Sequence, residues 1–301
     1  MPGRAVLSPR TGLGLVETAL LEVVAGSGRR RSDRVLGMLE REHGIGPRYG
    51  YEVLTDLVVP WRLHLPLLQG RGNLGSQHGD PPADATYTEV QLSAVGALAV
   101  AAERGELGPV PLGLIEGSLY RGGGVPPFNP GRVITALQTG GRRAGPPSLS
   151  AGDVVAGPVD ALLTGRKARL QLGCDIVREP GQLVLTHVPL GVDIARVTQS
   201  IVSRIRWREP TYRDYLPEAD RLPLPATPVR DLRDETSMRT GIRVVCTLAP
   251  GADPDEAEDW LRQAWPVTIE IDCRLPAPMS RRLRTWDRGD GSGLAALAAL
   301  L

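Results

Sequence analysis

Lysine is almost missing from this 301-residue chain. It occurs once, at Lys167, and every other basic residue is arginine. Beside abundant Gly, Ala and Leu this reads as the codon bias of a GC-rich genome and carries no mechanism. Cysteine is scarce: Cys174, Cys246 and Cys273 are far apart and odd in number. That spacing excludes a zinc motif and a disulfide framework, and fits buried free thiols in a reducing compartment. His64, His78 and His187 share no metal-like spacing, so no metal site is expected. No segment approaches the ~18 uninterrupted apolar residues of a membrane span. The N-terminus lacks a charged-then-apolar secretory pattern, so no membrane partner and a cytoplasmic location are expected. Net charge is only +1. The chain as a whole is no electrostatic magnet for nucleic acid, and any DNA contact must come from local clustering.

What is present suffices for folding. Apolar residues make up 42% of the chain and charged ones 23%, and the length suggests two domains. Residues 1–10 look like a disordered leader. A helical period covers Gly12 to Ala25, and Gly26-Ser-Gly breaks it. The basic turn Arg29-Arg-Arg-Ser-Asp-Arg34 leads into a helix from Ser32 to Glu42. His43-Gly-Ile-Gly-Pro47 is a turn, and a third helix runs from Arg48 to Val59, ended by Pro60. With the glycine loop and short strand that follow, this is the outline of a winged helix-turn-helix module. Pro111–Leu119 reads as extended, and Gly122–Pro130 as a rigid loop. Val133–Leu137 begins a short helix, and 140–151 is a Gly/Pro/Ser-rich link.

The second half changes character. Asp153–Val155, Ala168–Leu172, Leu183–His187, Ile242–Leu248 and Val267–Ile271 are strand-like. Asp193–Arg206 and Asp253–Ala264 are helical, Trp207–Pro228 is irregular, and a last helix follows Gly289. The fold class is α+β and multidomain: a leader over 1–10, a winged-helix DNA-binding domain over 11–128 and an α/β domain over 129–301.

The chain is organised around Gly70-Arg-Gly-Asn-Leu-Gly-Ser and the following Tyr87-Thr-Glu89. From Val90 the pattern reads as helix. Thr86 with Glu89, and Thr88 with Gln91, have capping-box spacing. Either cap puts Tyr87 at a helix N-terminus, where free N–H groups would favour a phosphate. The loop Gly70–Gly75 is not a Walker A motif.

Pro66-Leu-Leu-Gln-Gly-Arg-Gly-Asn-Leu-Gly-Ser, then Gly79-Asp and Tyr87-Thr-Glu, resembles the breakage-and-reunion subunit of type IIA DNA topoisomerases, the A subunit of DNA gyrase above all. Ser32-Asp-Arg-Val-Leu-Gly37 with His43 resembles the DNA-facing helix and its histidine turn. Val125-Pro-Pro-Phe-Asn resembles the loop that wedges an apolar side chain between base pairs. Thr164-Gly-Arg166, Leu185-Thr-His-Val-Pro189, Val229-Arg-Asp-Leu-Arg-Asp-Glu-Thr236 and Gly241-Ile-Arg-Val-Val resemble signatures of the tower domain. The resemblance implies a winged helix followed by an α/β tower, with Tyr87 as the nucleophile on a DNA phosphodiester. It implies DNA contacts from Arg30, Arg31, Arg34, His43 and Val125, and Arg48, a departure from the family, is expected to add positive charge near the DNA. It also implies duplex DNA and a gyrase B-like ATPase as partners, and a homodimer through the winged-helix region. Mg2+ and ATP are expected on the partner ATPase, with none bound by this chain.

The sequence departs from the family at chemical positions. Thr86 stands where an arginine precedes the nucleophile, and Thr18 and Ala19 stand where a second catalytic arginine is expected. Ile45 replaces the second histidine of the turn, and Arg48 and Glu52 replace a small hydroxyl residue and an acid. The chain is also expected to stop near the end of the tower, without the coiled-coil gate or the DNA-wrapping domain. Residues 1–122 carry 12 Arg against 13 Asp and Glu, so the arginine cluster at 29–34 could equally be a solvated turn. Two functions therefore stand. One is a divergent component of an ATP-dependent DNA topoisomerase that works through a 5′-phosphotyrosine. The other is a DNA-binding or regulatory paralogue with a degenerate site.

Overall fold

The computed structural model describes residues 7–26, 28–76, 80–120, 123–125, 127–138, 153–158, 161–162, 166–189, 192–206, 227–237, 240–274 and 290–301. The expected leader residues 1–6, His78, the link 140–151, Thr164-Gly165 and most of 207–228 lie outside them. The chain is mixed α and β, as expected.

Three helices open the fold. Helix α1 (Leu15–Ala25) buries Leu20, Leu21, Val23 and Val24. Helix α2 (Ser32–His43) buries Val35, Leu36 and Leu39, and ends where Gly44 adopts φ 67°, a left-handed conformation that glycine takes without steric cost. Helix α3 (Pro47–Asp56) starts with proline in its first turn, where the missing N–H is harmless. It ends at Asp56, earlier than the expected stop before Pro60. A three-residue turn joins α2 to α3. They cross so closely that a Cβ on Gly50 would sit 2.8 Å from Leu39 Cδ2.

A three-stranded antiparallel sheet follows, with β3 (Glu89–Leu92) between β1 (Arg30–Arg31) and β2 (Leu68–Arg71). Its register pairs Arg31 with Glu89 on one side and Arg71 with Glu89 on the other. This corrects the sequence expectation of helix from Val90. Two neighbouring strands supply the backbone partners of Glu-Val-Gln-Leu, which takes these residues out of the helix. Helix α4 (Ala94–Arg104) starts only after Ser93, whose hydroxyl accepts the Gly96 N–H at 3.0 Å. A Cβ on Gly96 would approach the Leu67 carbonyl to 2.0 Å, so glycine is what lets α4 lie against the strand.

The core around these elements continues through α5 (Leu112–Ile115), β5 (Gly123–Val125), which pairs with β4 (Ser118–Tyr120), and α6 (Pro130–Gln138). It does not stop near residue 128. Phe128 is fully buried in it with Val133, Ile134 and Leu137, and Leu294 and Leu297 join from the far end of the chain. Nor are residues 7–10 a loose leader. Leu7 is buried in this core, Ser8 donates to Glu103, and Arg10 Nη1 donates to the Ala102 carbonyl at 3.0 Å.

The second region has two sheets. In one, β10 (Val229–Asp234), β11 (Val244–Leu248), β9 (Gln182–Leu185) and β8 (Ile176–Glu179) lie in that order. Helices α7 (Ile194–Arg206) and α8 (Pro254–Arg262) supply Val197, Ile201 and Leu261 to its core. The other sheet runs β4-β5-β12-β7-β6, with β6 (Asp153–Ala156), β7 (Ala168–Gly173) and β12 (Thr268–Cys273). Here β5 meets β12 through the Cys273–Gly124 pair, so one sheet joins both halves of the chain. The last helix, α9 (Ser292–Ala298), returns to the first core. All three cysteines are free and buried, and burial pushes their thiols up to about 12. Among the described residues no helix is long and apolar enough to cross a membrane.

Candidate nucleic-acid interface

Tyr87 closes a single 3-10 turn, Ala85–Tyr87, and is 77% exposed. It is not at the start of an α-helix, as the capping-box spacings suggested. The Asp84 carboxylate caps the turn instead, accepting the Thr86 N–H at 2.9 Å and the Thr86 hydroxyl at 2.7 Å. Those bonds hold the Asp84 carboxyl below its usual range. The pulling of residues 89–92 into β3 moves the α-helix start six residues beyond Thr88, to Ala94.

The backbone at Tyr87 is pinned from three sides. Thr88 is fully buried. Its hydroxyl donates to Ser32 Oγ at 2.8 Å and lies 3.1 Å from the Tyr51 hydroxyl. Tyr51 in turn donates to the Ala83 carbonyl at 2.6 Å, and Ser32 N–H donates to the Thr88 carbonyl at 2.8 Å. On the remaining side Gly72, at φ 101°, runs so close that a Cβ there would sit 2.6 Å from the Tyr87 carbonyl oxygen. The tyrosine ring is thus presented to solvent from a fixed base. The group of buried Ser32 and Thr88 with half-buried Tyr51 escaped the sequence reading. Its signal is a hydroxyl residue inside each of two quoted motifs, Ser32 and Thr88, with Tyr51 outside them.

The arginines gather where β1 enters α2. An open cavity of about 630 Å³ is lined by Arg29, Arg30, Arg31, Arg34 and Arg41, with Asp33 and Glu89 among them. Arg31 is committed to Asp33 at 2.6 Å. Among the described residues Arg29, Arg30, Arg34 and Arg41 form no ion pair, although Arg30 Nη1 rests 2.9 Å from Met38 Sδ. Arg34, Gly37 and Arg41 share one face of α2 by helical spacing, and Gly37 keeps that face shallow. The turn bearing Tyr87 packs directly against α2 and β1. Of the expected site, then, Arg30, Arg31, Arg34 and Tyr87 come together. Arg29 and Arg41 join them.

The other expected residues fall elsewhere. His43 ends α2 and is exposed, about 16 Å along the helix from Ser32 at 1.5 Å per residue. Arg48 lies in the first turn of α3 just beyond it, also exposed, with Glu52 at 3.8 Å. Val125 requires a correction. It lies in β5, opposite Ser118, fully buried in the first core. A side chain with no exposed surface is not presented to a duplex and wedges nothing while it stays packed. In α1, the Thr18 hydroxyl donates to the Gly14 carbonyl at 2.9 Å, and Ala19 is buried, so these positions bring no charge to the surface. Among the described residues no group of three or more His, Cys, Asp or Glu side chains could hold a metal ion.

No protein-family model matches the chain. It is 26% identical over 304 aligned residues to the DNA gyrase A subunit of Haloquadratum walsbyi, covering 86% of this chain and 33% of that protein. It is 26% identical over 302 residues to the DNA gyrase A subunit of Aminobacterium colombiense, covering 84% and 35%. A shorter stretch of 98 residues is 37% identical to the DNA gyrase A subunit of Mycolicibacterium smegmatis, covering 30% and 12%. The chain spans about a third of the length of the first two relatives. Across most of its own length, this chain is a divergent relative of the DNA gyrase A subunit.

Proposed function

We propose that this chain binds duplex DNA through a winged helix-turn-helix formed by α2, α3 and the β1-β3-β2 sheet, and cleaves it through Tyr87. The observation that carries this reading is a fixed, exposed tyrosine beside a cavity lined by arginines, of which Arg29, Arg30, Arg34 and Arg41 form no ion pair among the described residues. DNA phosphates would supply the missing anions.

In the reaction the Tyr87 hydroxyl oxygen attacks a backbone phosphorus. The O–P bond to tyrosine forms as the bond from phosphorus to the 3′ oxygen breaks. The tyrosine proton passes to solvent or a base, and the 3′ oxygen leaves as a hydroxyl. The 5′-phosphotyrosine keeps the bond energy, so the 3′ hydroxyl can reverse the step and reseal the strand. A gyrase B-like partner is proposed to supply the ATPase and the acids that hold Mg2+; no step above is assigned to a metal on this chain. A homodimer through the winged-helix region would place two such tyrosines on one duplex.

The test is cleavage of duplex DNA with a gyrase B-like partner, Mg2+ and ATP, followed by denaturation. Protein linked to 5′ ends should appear with the wild type and vanish with Tyr87→Phe. Identical results for the two proteins would sink this reading.

One observation favours a second reading, a DNA-binding paralogue that does not cut. Thr86 is tied through both its amide and its hydroxyl to Asp84, so the residue just before Tyr87 is held by a carboxylate and brings no cation to the site. Replacing Thr86→Arg separates the two. Cleavage that arises only in the variant supports the non-cutting paralogue; cleavage already present in the wild type excludes it.

A further inference from the structure

Resting on the reading of Tyr87 as a nucleophile, we propose that Arg71 is the cation that holds the reacting phosphate beside it, in place of the arginine that Thr86 lacks.

The strand register carries the argument. Arg71 ends β2 directly opposite Glu89 of β3. Opposed residues share a face, and successive residues alternate. Thr88 is extended, at φ −119° and ψ 151°, so Tyr87 and Glu89 lie on one side of their chain. Tyr87 is therefore the diagonal neighbour of Arg71, a relation that spans roughly 7–8 Å and is within reach of long side chains. Two glycines fix the offset. A Cβ on Gly72 would meet the Tyr87 carbonyl oxygen at 2.6 Å, which holds the end of β2 against the tyrosine. A Cβ on Gly70 would meet Leu74 Cδ1 at 2.1 Å and Val58 Cγ1 at 2.6 Å, so the opposite face is closed and Arg71 is left on the open one.

The charge on Arg71 is available. It is exposed and makes no ion pair or hydrogen bond among the described residues, even with Glu89 across the strand. Arg31, the other cross-strand neighbour of Glu89, is already paired with Asp33 at 2.6 Å. Of the two arginines opposite Glu89, Arg71 is thus the one that makes no ion pair among the described residues. Its guanidinium would donate to the non-bridging oxygens, whose charge grows as the tyrosine oxygen attacks.

Two measurements decide this. In the first, the full chain binds a nicked duplex that carries either a 5′-phosphate or a 5′-hydroxyl at the nick. Wild type should prefer the phosphate, Arg71→Gln should bind both equally, and Arg71→Lys should keep part of the preference. Thermal unfolding should stay unchanged, because the side chain makes no bond. In the second, with Mg2+ and the gyrase B-like partner, Arg71→Gln should slow 5′-adduct formation by about 10²–10³, the usual cost of one preorganised charge donor. Adding Thr86→Arg to Arg71→Gln should recover it. If the wild type forms no adduct, the nucleophile reading fails, and the nick preference alone then judges Arg71. A wild type without that preference, or an Arg71→Gln that keeps it, overturns the proposal.

Discussion

Both halves of the molecule close arginine ion pairs, Arg31 with Asp33 and Arg104 with Glu22 in the first among them, but they differ in the arginines left over. In the second region, Arg169 pairs with Asp272 at 3.0 Å, and Arg178 lies between Asp255 at 2.7 Å and Glu258 at 2.8 Å. Arg243 pairs with Glu179 at 2.8 Å and Glu235 at 3.1 Å, and Arg262 with Glu258 at 2.8 Å. In the first region, Arg29, Arg30, Arg34, Arg41 and Arg71 have no such partners among the described residues. The residue type is the same, and sequence spacing alone distinguishes the two sets poorly. The structure separates charge that closes a network within the fold from charge left for an anion outside it.

The largest effect that breaks this comparison is on DNA affinity. Arg30→Ala with Arg34→Ala should weaken duplex binding and make its salt dependence shallower, by about 0.9 in log–log slope for each phosphate no longer neutralised. Arg178→Ala and Arg243→Ala should leave both quantities unchanged. Titrations over a range of salt concentrations would show it, and a matching loss from the second pair would erase the distinction.

A carboxylate of the first region sharpens the same contrast. Glu116 is buried with no arginine partner among the described residues; it accepts the N–H groups of His64 at 2.7 Å and Leu65 at 3.0 Å. Burial raises its pKa to about 7, and those two bonds oppose the rise. Folding therefore favours the protonated form. The contribution is fully present below the unfolded value of 4.5 and is lost as pH rises through about 7. Over that window it amounts to roughly 3 kcal/mol at 1.36 kcal/mol per pKa unit. Chemical unfolding from pH 4.5 to 8 should show wild-type stability falling relative to Glu116→Gln. Burial raises Glu17 and Asp56 as well, so the difference between the two proteins is the quantity to read.

A smaller effect concerns how the sheet beside Tyr87 is held. Gly96→Ala forces a Cβ toward the Leu67 carbonyl and should cost about 1–3 kcal/mol, as overpacking does. Since the strain falls where α4 meets the start of β2, whose far end carries Arg71 beside Tyr87, it should also lower DNA affinity. A substitution as disruptive in the second region, with its charges already paired, should lower stability alone.

Much of this was legible in the sequence. The apolar period and the glycine and proline punctuation around α1, α2 and α3 located those helices within a few residues, and alternation located β7, β9, β11 and β12. These signals are local. What the sequence hid depends on distant partners. Val90 to Leu92 became a strand because Arg30-Arg31 and Leu68–Arg71 flank it. Val125 became core because β4 and β12 enclose β5. Tyr87 was found by its motif, while its surroundings were misread: spacing suggested a helix cap, and the structure has Asp84 capping one 3-10 turn. Arg71 lay within the quoted motif, yet only the register shows it as a neighbour of Tyr87.

The central claim is that Tyr87 becomes covalently joined to DNA, and the most direct measurement locates the adduct. The chain is incubated with DNA, Mg2+ and a gyrase B-like partner, denatured and digested with nuclease, and its peptides are weighed for an added nucleotide. The nucleotide should be on Tyr87, and Arg71→Gln should reduce its yield. A nucleotide on the exposed Tyr49, or on no tyrosine at all, would contradict the account.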